Sequence, residues 1–156
     1  MKIVKLTACV VSLLASTGIA QAQDITPYVN IGVEGLDFEG MSGNVVARVG
    51  ADISQYFAVE GEGSVGLLED NDDFKIDYKL AGYGRLQYPV SDQVKLFVRA
   101  GYYTVEADIG EADGLALGGG LEYMFTDRDG IRLDYTNLDD DGGSANTYSI
   151  AYSRRF

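Results

Sequence analysis

Val94-Lys95-Leu96-Phe97-Val98-Arg99-Ala100-Gly101-Tyr102-Tyr103-Thr104 carries its aliphatic residues at even positions and both of its charges at odd ones. Side chains of a strand alternate between two faces, so this segment has an oily side and a wet side. The same alternation, with almost all the charges of each segment on one parity, recurs in short segments from residue 44 to the C-terminus. In one of them, Arg132 and Asp134 alternate with Ile131, Leu133 and Tyr135. Repeated half-apolar strands of this kind predict an all-β, antiparallel up-and-down barrel. Whether the oily side faces inward or outward decides between a soluble and a transmembrane barrel.

The start of the chain favours the membrane. Residues 1–22 open on Lys2 and Lys5, continue through an apolar run over 8–20, and end in Ala20-Gln21-Ala22. This is the pattern of a secretory signal peptide cleaved after Ala22, leaving 23–156 as a single barrel domain. Leu6-Thr7-Ala8-Cys9 imitates a lipoprotein acceptor, but the apolar core follows Cys9 instead of preceding it. Cleavage removes the only cysteine and two lysines, so ten basic residues face 24 acidic ones. Such an acidic chain lacks the clustered Lys and Arg that nucleic acid requires.

After Pro27, which suits a strand start, the expected strands are 28–34, 44–53, 57–67, 75–88, 93–106, 114–125, 131–138 and 146–156. Pro89 ends the fourth by withdrawing a ladder donor. Tight turns at 54–56, 89–92 and 126–130 lie at one end, and loops at 35–43, 68–74, 108–113 and 139–145 at the other. About eight strands of roughly ten residues with short turns at one end meet the requirements of an outer-membrane barrel. Closure also removes the sheet edges that lipid cannot solvate.

If the apolar parity faces lipid, the enclosed charges are Glu34, Arg48, Asp52, Glu60, Glu62, Asp77, Lys79, Arg85, Lys95, Arg99, Glu122, Arg132 and Asp134. Acids and bases nearly balance, as a narrow interior demands. A basic side chain on lipid at the bilayer midplane would cost about 2–4 kcal/mol. Aromatic residues gather at both boundaries, with Tyr56, Phe57, Tyr88, Phe125 and Phe156 at the turn end and Phe74, Tyr102, Tyr135 and Tyr148 toward the loops. A soluble lipocalin-type barrel with a greasy pocket is the alternative. It leaves the closing sequence unexplained: Tyr148, Ile150, Tyr152 and Phe156 share one parity and resemble the C-terminal signal read by the barrel assembly machinery. Arg154 departs from that signal.

Leu96-Phe97-Val98-Arg99-Ala100-Gly101-Tyr102, Gly118-Gly119-Gly120-Leu121-Glu122-Tyr123 and Gly130-Ile131-Arg132-Leu133-Asp134-Tyr135 resemble segments of small eight-stranded outer-membrane barrels. That superfamily includes the OmpA transmembrane domain, the opacity-type surface proteins and other porin-family outer-membrane proteins. The resemblance implies a monomeric barrel in the outer membrane of a Gram-negative bacterium. Outer-membrane lipid, lipopolysaccharide and, during insertion, the assembly machinery are its implied partners.

The chain contains no histidine, so the general base that resembling acyltransferases and peptidases employ has no candidate. Ser64, Ser149 and Ser153 read as small lumen residues, and no cofactor or metal is expected. Asn137-x-Asp139-x-Asp141-Gly142 imitates a calcium loop but offers Tyr148 where the bidentate Glu belongs. Glu69, Asp70, Asp72 and Asp73 form a second acidic group, read as a solvated loop tip, with weak divalent-cation binding as the alternative. Gly61, Gly63, Gly82, Gly84 and Gly118 to Gly120 lie in strands with no following helix, where they would ease curvature and close packing. A structural or surface barrel with a charged, largely plugged lumen is therefore expected, with a narrow pore as the alternative. Arg99, at mid-strand, is expected to pair with an interior carboxylate, Asp77 and Glu122 being offered by the neighbouring strands.

Overall fold

The computed structural model describes residues 25–37, 41–66, 76–107, 110–140 and 143–156. The expected signal segment 1–22, Phe74 and the acidic run 69–73 lie outside these residues. Eight strands form one closed antiparallel barrel in chain order: β1 Thr26–Asp37, β2 Met41–Asp52, β3 Phe57–Gly66, β4 Ile76–Pro89, β5 Val94–Ala107, β6 Gly110–Met124, β7 Asp129–Asp140 and β8 Gly143–Arg155. The seam is a full ladder from Tyr28↔Arg155 to Asp37↔Asn146. Phe156 N donates to Pro27 O at 3.0 Å just beyond it.

The three short turns share one construction. Ser54, Ser91 and Thr126 each place a hydroxyl oxygen where the backbone N–H groups two and three residues later donate to it, at 2.9–3.3 Å. Local hydroxyl-to-backbone bonds of this type favour turns over continued strand. In each turn the residue before the hydroxyl also donates to the carbonyl that opens the next strand, Ile53 to Phe57, Val90 to Val94 and Phe125 to Asp129. All three strands are thereby returned at the same end of the barrel.

At the other end the strands run further than sequence composition suggests. Gly35 to Asp37 pair with Met41 to Gly43, Thr104 to Ala107 with Gly110 to Asp113, and Asp139 and Asp140 with Gly143 and Ser144. Much of the predicted loops 35–43, 108–113 and 139–145 is therefore ladder. Gly and Asp are poor strand formers, but an antiparallel ladder is held by backbone groups that every residue except proline provides.

The wall separates side chains by chemistry. Leu117, Ile31 and Val98 are about 60% exposed on the outside, whereas Arg85 and Arg132 are fully enclosed. This is the inverse of a soluble barrel, and the lipocalin alternative fails on it. Tyr56, Phe57, Tyr88, Phe125 and Phe156 are exposed at the turn end, and Tyr102, Tyr135 and Tyr148 toward the other. Arg154 also faces outward, but it sits at the turn end of β8 and is ion-paired to Asp129 at 2.8 Å.

Among the glycines, two behave oppositely. A Cβ on Gly120 would lie 2.1 Å from the carbonyl oxygen of Leu133 across the β6–β7 ladder, so close packing requires glycine there. A Cβ on Gly82 would meet nothing within 4 Å. The packing role expected for the strand glycines does not extend to Gly82.

Candidate functional site

Inward-facing residues of all eight strands meet in the lumen. At its centre Arg99, from β5, donates to Glu62 at 2.7 Å and to Glu60 at 3.0 Å, both on β3, and to Asp134 of β7 at 2.9 Å. Arg48, from β2, donates to Glu62 at 2.6 Å and to Asp134 at 3.3 Å. Arg132 bonds Asp134 at 3.0 Å and grips Glu60 through both terminal nitrogens. A planar guanidinium with five donors can join carboxylates on different strands in this way, which an ammonium cannot do as well.

Toward the loop end, Lys79 Nζ lies 2.7 Å from Glu34 and 3.0 Å from Glu62. Toward the turn end, Arg85 and Arg155 both reach Glu122 Oε2, at 3.0 and 2.6 Å. Arg155 also pairs with Asp52, which accepts from Gln87 Nε2 at 3.0 Å, and Lys95 Nζ stands 3.8 Å from Asp52. Each of the expected enclosed charges except Asp77, whose side chain is outside the described atoms, thus joins an ion pair in the lumen.

Hydroxyls and rings fill the remaining space. Ser64 donates to Glu34, Ser149 to Asp134 and Ser153 to Glu122. All three serines therefore serve the charge network. Phe97 is held between Arg85 and Arg132, whose guanidinium carbons lie 4.1 and 4.5 Å from its ring centroid. Arg99 stacks on Tyr83 at 4.2 Å. Such stacking compensates desolvated guanidinium faces that carry no hydrogen bond. Nearer the loop end, buried Tyr83, Tyr103, Ala116 and Leu138 form an apolar cluster inside the barrel, joined by Ala81, Val105 and Ala145.

Two parts of this arrangement depart from the sequence reading. Arg99 does not pair with Glu122, which is occupied by Arg85 and Arg155. Its partners come from β3 and β7, because a long side chain at mid-barrel reaches across the lumen rather than along its own wall. Arg155 was missed, although it shares the parity of Ser149 and Ser153 and that signal alone would have found it. The calcium-loop imitation also dissolves: Asn137 and Asp139 are strand residues of the β7–β8 ladder, and Asn137 donates to Asn146 at 3.0 Å. Among the described residues no group of three or more acidic, Cys or His side chains is arranged to hold a metal ion.

A closed eight-stranded barrel, oily outside and charged within, defines the architecture of small bacterial outer-membrane proteins. Residues 6–156 match the outer membrane protein beta-barrel domain, and the chain belongs to that family. Its location is accordingly the outer membrane. Similar solved structures include Ail, the attachment invasion locus protein of Yersinia pestis, at 14% identity and a TM-score of 0.64, covering 86% of this chain and 100% of that one. The N-terminal barrel domain of Pseudomonas aeruginosa OprF has 11% identity and a TM-score of 0.65, covering 83% and 97%. Neisserial surface protein A has 17% identity and a TM-score of 0.58, covering 87% and 99%. Identities this low show a common fold and no more. No curated protein sequence matches the chain.

Proposed function

We propose that this barrel is a non-enzymatic structural or surface element of the outer membrane, with a lumen plugged by its own side chains. The observation that carries the reading is the ion-pair network around Arg48, Arg99 and Arg132, which ties β2, β3, β5 and β7 together across the lumen. Eight strands enclose space that side chains alone can fill. Four fully buried arginines, their carboxylates and the apolar cluster at the loop end occupy much of it.

Its partners on this reading are outer-membrane lipid and lipopolysaccharide around a monomeric wall. The assembly machinery would read Tyr148, Ile150, Tyr152 and Phe156, which all face outward on β8 and at the C-terminus. The barrel would be exported through a signal peptide spanning 1–22. Ion conductance of the refolded protein tests the plug: a structural barrel conducts little, and Arg99→Ala raises the conductance by opening the network at its centre. A narrow porin would conduct before any substitution.

A further inference from the structure

A groove crosses the outer wall at the β1–β8 seam. Its floor is the backbone of the Gly32↔Ala151 pair, and its sides are the cross-strand pairs Ile31↔Tyr152 and Val33↔Ile150, whose side chains face outward. Phe125 lines it toward the β6–β7 turn. The groove measures about 400 Å³ and is open to its surroundings, so it suits a stretch of flexible apolar chain rather than an enclosed compact molecule. Arg154 is the next outward residue after Tyr152, one row closer to the turns. From the Arg154 row to the Ile150 row is four residues, roughly 13 Å along the strand. At the usual tilt that is about 10 Å of depth, within the roughly 12 Å that half of the apolar band provides.

Charges of both signs border the turn end of this groove. The Arg154 side chain is 44% exposed, and its Nη1 pairs with Asp129 at 2.8 Å. Asp129 also accepts from the Tyr152 hydroxyl and, at 3.0 Å, from Thr126 Oγ1. One carboxylate therefore fixes both the tip of a groove wall and the arginine beside it. Arg128 and Asp127 are exposed in the adjoining turn, and the Arg128 carbonyl accepts from Arg155 N at 2.8 Å, which holds that turn against the end of β8. Charged side chains on the outer wall are costly in hydrocarbon, so this cluster lies at headgroup level.

We propose that the seam groove binds one zwitterionic phospholipid of the phosphatidylethanolamine class, with an acyl chain along the groove, its phosphate on Arg154 and Arg128 and its ammonium on Asp127. Short turns mark the periplasmic end of such barrels, where the leaflet is phospholipid. A guanidinium fork matches phosphate oxygens, and these two arginines are exposed enough to meet them. Phosphatidylglycerol offers the same phosphate and chains but no cation, so it leaves Asp127 unmatched beside an added negative charge. The site rests on the proposed lipid surroundings of the wall and is independent of the state of the lumen.

The chain has no tryptophan, so a single one introduced into the wall reports its own lipid neighbours. Leu133→Trp places it beside Ile150, and Val98→Trp places it on the opposite wall, where the turn at 90–93 carries no basic residue. Both positions face outward, and each is the fifth residue of its strand counted from the turn end, so their depths match. The two variants are refolded into vesicles of equal parts phosphatidylethanolamine and phosphatidylglycerol, with the acyl chains of one lipid or the other brominated to quench nearby tryptophan. Heat-dependent gel migration verifies folding. At Leu133→Trp brominated phosphatidylethanolamine quenches more strongly than brominated phosphatidylglycerol, whereas at Val98→Trp the two quench alike. Adding Arg154→Gln to Leu133→Trp abolishes the preference, and the comparison of the two walls stands whether or not that variant folds. No quenching at either tryptophan would remove the lipid around the wall and the site with it. With quenching present, no preference at Leu133→Trp, an equal preference at Val98→Trp, or a preference that survives in folded Arg154→Gln would overturn the site alone.

Discussion

Arg99 shows most directly how single residues hold this molecule together. It contacts carboxylates on two strands that are not its neighbours in the wall, and its removal leaves Glu60, Glu62 and Asp134 in a dry centre with less compensation. Breaking a buried pair from one side costs about 3–5 kcal/mol. Arg99→Ala is expected to lower the urea unfolding free energy in lipid vesicles by that order, and a loss within experimental error would mean that water already screens the network. The two contrasting glycines make a second prediction. Gly120→Ala forces a Cβ against the Leu133 carbonyl and should destabilise the barrel clearly, whereas Gly82→Ala adds a methyl to open lipid-facing space and should be neutral or slightly stabilising. The two unfolding midpoints, measured side by side, check this ordering.

Strands are the scale at which the sequence was most legible. A one-residue slip would carry every charge through the wall, so parity alone separates the lipid face from the lumen face. Strand ends were less legible. Gly35, Gly43, Asp139 and Asp140 look like turn residues, yet they sit in ladders whose bonds are blind to side chains. Partner choice was not legible at all, since it depends on how far the strands stagger around the barrel, which residue types do not encode. Arg155 illustrates the point: its inward direction follows from parity, but its bridge to Asp52 and Glu122 follows only from the closed seam. The last strand also carries a prediction. Phe156 closes the seam through its N–H to Pro27 and presents its ring outward. Deleting it should reduce the heat-modifiable, membrane-inserted fraction in cells, and an unchanged yield would remove Phe156 from the assembly signal.

Over the whole molecule, two demands act on one closed sheet. Lipid outside requires an apolar surface and a sheet with no open edge, which the seven ladders between consecutive strands and the β1–β8 seam provide. The narrow interior then has to hold the remaining half of each strand, and it does so with paired charges, serine hydroxyls and stacked rings. On the proposed plugged-lumen reading, the arginines are both the core of the fold and the obstruction of its lumen, so stability and closure would come from the same contacts. Single-channel recording of the refolded wild-type protein in planar bilayers tests that identity most directly. The account predicts no steady open level and at most brief, small openings; a large, stable conductance in protein that also keeps its full resistance to urea would contradict it.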